Sequence, residues 1–282
     1  MSERPSALVR VGAYLLLALA TLAVMFPVYA VTVMAVSRAP GFSVVLSPDP
    51  SLFTLEHLAT FIAHYDAEGR WLFGRQLLNS LVVAGGATAL GVFLATTAAY
   101  AFSRFRFPGH RLGIASFVVV QMFPATMMIV PLYLLLSALG LLDSIIGLIV
   151  VYTTTALPFC VWMLKGYFDT IPADLDEAAL VDGASRVRIF YQVIMPLARP
   201  AIAVTALFSF LTAWNEFIMA ATFLSHEEKF TLPVTLFRHV GAYGADWGAF
   251  AAGSLVVSIP VCLLFFALQR QLVGGLSAGA VK

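Results

Sequence analysis

Apolar residues run along this chain in long blocks that do not alternate with polar ones. Charge-free stretches cover residues 11–36, 76–103, 112–142, 144–164 and 247–269, and a sixth, 200–225, is interrupted only by Glu216. A span needs about 20 mostly apolar residues to cross a hydrocarbon core roughly 30 Å thick. The pattern predicts an all-α membrane protein with six transmembrane helices, at about 11–36, 77–102, 112–138, 144–165, 200–223 and 247–269. A transmembrane β-barrel is excluded, because its strands alternate. The run from Leu112 is too long for one untilted helix, so Pro124 and Pro131 should kink it, with Gly140 and Asp143 in a tight outer turn before Ser144. Arg4 and Arg10 precede the first run as in a signal sequence, but its 26 residues exceed the roughly 7–15 of a signal core, which favours an uncleaved first span.

Composition extends this reading to the whole length. The 282 residues are 61% hydrophobic and 11% charged, with a mean hydropathy of +0.93. Soluble domains average roughly 45–50% apolar and about 25% charged, so a soluble enzyme is excluded. A net charge of +1 gives no electrostatic case for a nucleic-acid partner. Cys160 and Cys262 both sit in apolar runs, which excludes a disulfide framework or a cysteine-rich metal site. With both termini in the cytoplasm, eleven of the 16 basic residues fall on the inner side and five on the outer, the asymmetry of the positive-inside rule. Residues 38–75 form an outer loop long enough for a small cap, and 226–246 a second one. The chain reads as one domain over 1–282, without internal repeat or low-complexity tract.

The longest inner segment, residues 165–199, carries the clearest pattern. Asp174 and Glu177 have the spacing of a capping box, which would open a helix at Leu175. Gly183 is placed to end it, and Ser185 to cap a second helix over 186–195 that Pro196 stops. Leu175, Ala178, Ala179 and Asp182 share one face of the first helix, and its two alanines would let another backbone approach closely. Ile189, Phe190, Val193 and Ile194 give the second helix an apolar side. Two readings fit these faces: a helix-in-groove contact with a soluble partner, or an amphipathic hairpin folded against the membrane bundle.

Glu177, Ala178, Ala179, Gly183 and Pro196 resemble the signature loop of ABC importer permeases: EAA, a glycine, nine residues, then an I-x-L-P ending, here VIMP. The loop lies between the fourth and fifth spans, where that family carries it. The likeness extends along AYAFSRFRFPG (99–109), QMFPA (121–125), KGYFDTIP (165–172) and QRQLVGGLSAGAVK (269–282), and is to the smaller permease of maltose-type carbohydrate importers. The resemblance implies a bacterial inner-membrane subunit, multi-pass with both termini cytoplasmic, that imports maltose or a related oligosaccharide such as maltodextrin or trehalose. It implies a homologous second permease, a cytoplasmic ATPase dimer and an extracytoplasmic sugar-binding protein as partners, besides membrane lipid. The coupling loop 170–199 would dock on the ATPase through Glu177, Ala178, Ala179, Asp182, Gly183 and Pro196. The tail would reach the ATPase interface through Gly275, Leu276, Ser277, Gly279 and Lys282, although by composition it reads as a frayed terminus. No G-x-x-x-x-G-K-[ST] occurs, so ATP and magnesium belong to the partner and this chain is not an enzyme.

Glu216 lies about 24 Å into the fifth span at 1.5 Å per residue, so it should face the bundle interior or a water-filled cavity. With Trp214 and Asn215 it forms a WNEF patch that would suit a sugar path, with Gln121 a further polar candidate. The opposing reading of Glu216 is a structural clamp between helices. Asn79, Tyr100, Tyr152 and residues 153–155 read as interhelical hydrogen-bonding groups, and His226 with Glu227 and Glu228 as a solvated outer loop. The competing class is an ion-coupled secondary sugar transporter, which would want intramembrane ionisable relays and inverted repeats. Only Glu216 meets that description.

Overall fold

The computed structural model describes residues 7–38, 49–241 and 244–279, with backbone alone in 272–279. Among the described residues, four helices are long and apolar enough to cross a membrane unbroken. They belong to α1 (Ala7–Ala35), α3 (Leu72–Arg104), which follows the short α2 (Glu56–Ile62), α6 (Ile145–Phe168), and the last helix of the chain. Between α3 and α6, helices α4 (His110–Gln121) and α5 (Ile129–Ala138) meet through a 3-10 turn over Ala125–Met128 and bend by 97°. The bend is at Pro124, whose extended ψ of 131° cannot continue a helix. Pro131 makes no kink of its own: it falls in the first turn of α5, where its missing N–H has no intrahelical acceptor to lose.

After α6 come α7 (Asp174–Val181), α8 (Arg186–Ile189), a π-helical turn (Phe190–Ile194) and α9 (Met195–Leu197). The expected fifth span is split into α10 (Arg199–Trp214) and α11 (Ile218–Phe223), with a break at residues 215–217. The segment Arg186–Leu197 meets Arg199–Trp214 at 79°; if each bent pair is one span, the described residues hold up to six. The remaining elements are α12 (Leu232–Arg238), strands β1 (Val240–Gly241) and β2 (Gly244–Ala245), and α13 (Trp247–Gly279). This antiparallel pair of two-residue strands, with single antiparallel bridges at Ser37–Phe53 and Tyr65–Trp71, departs from an otherwise helical chain.

The chain groups into two compact units. The first comprises Met1–Phe73 and Leu236–Ile259. Its centre is Phe61 of α2, only 2% exposed, with the rings of Phe73 and His239 at 5.7 and 5.5 Å. A Cβ at Gly253 would stand 2.5 Å from Phe61 and 2.7 Å from Leu236, so the absence of a side chain is what lets α2 seat there. The segment expected to form a small cap thus contains α2.

The second unit comprises Gly74–Thr235 and Pro260–Lys282. Its core joins Ala95, Ala99 and Tyr100 of α3, Ala156, Cys160, Val161 and Leu164 of α6, and Ile189, Phe190, Ile194, Ala198 and Ala201 beyond. Small residues on α3 and α6 let the two backbones approach, as membrane helices require when lipid gives no hydrophobic drive to associate. Gly140 (φ 66°) and Asp143 (φ 54°) form the tight turn expected between α5 and α6.

Candidate functional site

The segment between α6 and α10 has one side packed into the second unit and one side bare. Helix α7 begins a residue earlier than the sequence pattern suggests, at Asp174, with Ala173 in the N-cap position. No side chain caps it, so the Asp174–Glu177 capping box does not form. Its end follows the expected route. Gly183 adopts φ 80°, its N–H bonds the Leu180 carbonyl at 3.0 Å, and the Ala184 N–H bonds the Ala179 carbonyl at 2.9 Å. Those two bonds make a Schellman turn, which a left-handed residue closes and glycine enters at least cost.

Ser185 then caps α8, its hydroxyl accepting from the Arg188 N–H at 3.3 Å. The following helix does not stop at Pro196. It widens into the π turn Phe190–Ile194, the Met195 N–H bonds the Phe190 carbonyl, and helix resumes through Leu197. Proline removes one donor and clashes with the carbonyl four residues back, and a wide turn accommodates both effects.

Ile189, Phe190 and Ile194 are buried in the second unit's own core, with Val193 packed against it. The apolar side of the second helix thus folds against the spans. The bare side instead carries Glu177, Ala178, Asp182 and Gly183, all exposed, beside Val181 and Val187 at 89% and 66% exposure. Ala179 is half-buried and Pro196 exposed. An open recess of about 500 Å³ is lined by Gly183, Ser185, Val187, Arg188, Tyr191 and Gln192, directly after the glycine turn.

Sequence reasoning missed what fixes α7 in place. Asp176, 3% exposed, is ion-paired with Arg104 at the end of α3 (Nε to Oδ2, 2.5 Å). Arg104 also donates to the Ile171 carbonyl at 2.9 Å and to the Ser103 hydroxyl at 3.3 Å. Ser103 donates in turn to Asp169 at 2.7 Å, and Lys165 bonds the other oxygen of that carboxylate at 2.6 Å. Arg104 reads in the sequence as one more inner-side positive charge. Nothing local ties it to an aspartate seventy-two positions on.

Trp214 and Glu216 of the WNEF patch make contacts within the chain. Trp214 is 2% exposed and stacks on Phe210 at 5.4 Å. Glu216 accepts from the Tyr152 hydroxyl at 2.6 Å and from the N–H groups of Met219 and Ala220 at 2.9–3.1 Å. It thereby satisfies the first orphan donors of α11. Asn215 and Gln121 are exposed, the latter at the end of α4 before the bend. Of the tail, Gly275, Leu276, Ser277 and Gly279 continue α13 as helical backbone, which runs on beyond residue 269; Lys282 lies outside the described residues.

On the other side of the second unit, the loop expected to be solvated is fastened. Asp143 accepts from the backbone N–H groups of Ser225 and His226, from the His226 ring, and from Lys229 Nζ at 2.7 Å. From α3, Gln76 and Asn79 donate to the carbonyls of Glu227, Glu228 and Phe230, and Ser80 accepts from the Leu232 N–H at 2.7 Å.

Residues 87–277 match the family model described as "Binding-protein-dependent transport system inner membrane component". The galactooligosaccharides transport system permease protein of Bacillus subtilis is 37% identical over 271 residues, covering 95% of this chain and 94% of that one. The maltodextrin transport system permease protein of the same organism is 33% identical over 276 residues, covering 97% and 96%. A crystal structure of a bacterial ABC transporter involved in import of the acidic polysaccharide alginate superposes with a TM-score of 0.76 at 23% identity, covering 95% of this chain and 99% of that one.

Proposed function

The chain belongs to the family of binding-protein-dependent transport system inner membrane components, and on that premise we propose how it works as one permease of an ATP-driven sugar importer. It is a multi-pass inner-membrane transport component. Its substrate is an oligosaccharide of the kind for which its relatives are named, maltodextrins and galactooligosaccharides among them. ATP and magnesium bind a separate cytoplasmic ATPase dimer, a second homologous permease completes the pathway, and an extracytoplasmic binding protein delivers the sugar. Both termini lie in the cytoplasm, which puts the α7–α9 segment on the ATPase side.

One observation carries the mechanism: Glu177, Ala178 and Gly183 stand on the bare side of a segment whose other side is locked into the spans. Glu177 and Asp182 offer carboxylates to basic groups of the ATPase, and the alanines between them admit its backbone closely. Closure of the ATPase dimer on ATP pushes this segment, and the spans packed against it follow. Alternating access is then a population shift driven by differential binding of nucleotide. The exposed apolar length of α1, with 6% of its most apolar window buried, supports contact with lipid or the second permease.

The test is purification from the native membrane. An ATPase should accompany the wild-type chain and be lost from Glu177→Lys, while the variant remains inserted. If no ATPase accompanies the wild type, and sugar uptake into vesicles follows the membrane potential, the chain is an ion-coupled carrier and this reading fails.

A further inference from the structure

Buried ion pairs are poor stabilisers, because desolvating two charges offsets most of their attraction. The Arg104–Asp176 pair is a weak case even among these: neither Asp176 oxygen nor Arg104 Nε has an aligned hydrogen-bond partner. Both side chains are nonetheless nearly dry, 9% and 4% exposed. Stability alone does not account for it, so its place in the fold bears on its use.

Helix α7 is joined through the backbone only to α6 and α8. Arg104, at the end of α3, adds that helix to the set through its ion pair with Asp176, beside its bond to the Ile171 carbonyl and the packing of Ala179 on the shared core. At 100° per residue, Ala178 stands about 160° around α7 from Asp176. The bare side and the Arg104 side are therefore opposite, and a load applied at Ala178 presses Asp176 onto α3. From Arg104 the same uninterrupted helix runs back to Gln76, about 42 Å away at 1.5 Å per residue. There Gln76, Asn79 and Ser80 hold the backbone of the outer segment 227–232.

We propose that Arg104 and Asp176 are positioning residues for energy coupling, making α3 move with the docking helix α7 and carry that motion to the outer segment. This rests on the reading of α7 as the ATPase-docking helix. It adds a third span to the two that the chain's connectivity already links to that helix.

The experiment uses the assembled transporter in lipid vesicles, with Arg104→Met and Asp176→Leu combined so that neither charge is left buried alone. Sugar taken up per ATP hydrolysed should fall by about fivefold or more, the low end of coupling between distant sites, while the ATPase still co-purifies. A second readout is maleimide labelling of Ser225→Cys beside the outer segment, in a Cys262→Ser background. Labelling should respond to ATP with the native pair and cease to respond without it. Unchanged uptake per ATP and unchanged labelling overturn the inference and leave the docking reading intact; absence of the ATPase from the wild-type preparation strikes the docking reading itself. If the apolar pair does not assemble, Asp176→Asn decides. It keeps the side-chain shape but removes the charge that holds Arg104, so uptake per ATP should drop with ATPase recovery normal, and an unchanged ratio overturns the proposal.

Discussion

Asp143 shows how much one carboxylate does when every lone pair is used. Burial pushes its carboxyl up, but the Lys229 ammonium, the Ser225 amide, and the ring and amide of His226 together outweigh that and hold it well below the usual carboxylate range. Its own N–H closes the arrangement on the Phe223 carbonyl at 2.8 Å. A carboxyl whose folded value is depressed stabilises the fold above its unfolded value, and that contribution drains as pH falls through the folded value. Thermal stability in detergent should therefore hold from neutrality to about pH 5 and then decline. Asp143→Asn should lose about 1–3 kcal/mol at neutral pH, the worth of a charged hydrogen-bond set, and should flatten part of the acid decline. A variant that melts as the wild type does at both pH values would show that the outer turn is held by packing alone.

At the scale of elements, the breaks in the helices are where the sequence was hardest to read. The apolar blocks predict α1, α3 and α6 within about five residues and the start of α13, because lipid leaves a spanning backbone no choice but internal hydrogen bonds. Gly183 and Ser185 were equally legible, since each acts through its own backbone neighbours. The π turn before Pro196 and the split between α10 and α11 were not, because each is settled by partners distant in sequence or by crowding within the turn. Glu216 is the instructive case: read as a carboxylate in an apolar run, it fits a sugar path or a clamp equally, and only the Tyr152 hydroxyl and the α11 amides distinguish them. As a cap it should tolerate Glu216→Gln, which retains an acceptor, with uptake KM unchanged. Glu216→Ala should lose about 0.5–2 kcal/mol of stability. A KM raised several-fold in Glu216→Gln at unchanged stability would return the residue to the sugar path.

At the scale of the whole molecule, sequence and structure divide the work of recognition unevenly. The signature residues Glu177, Ala178 and Gly183 identify the family because they face outward, free of packing demands, and keep the pattern a partner needs, while Ala179 packs against the core. Arg104 and Asp176 are silent in one sequence because their meaning is a contact between distant segments. The tail lies between these cases. It was expected to leave the last span as a short glycine-rich piece, yet α13 continues through Gly274, Gly275 and Gly279 as helical backbone. Glycine lowers helix stability by about 1 kcal/mol relative to alanine, so an isolated helix end with three glycines would be poorly held. Docking into an ATPase interface would supply the missing support, and helix formation there would be linked to assembly. Deleting residues 275–282 should then leave the chain inserted and its outer half intact, while sugar-stimulated ATP hydrolysis falls. Stimulation equal to that of the full chain would mean that the segment ends the span and does nothing more.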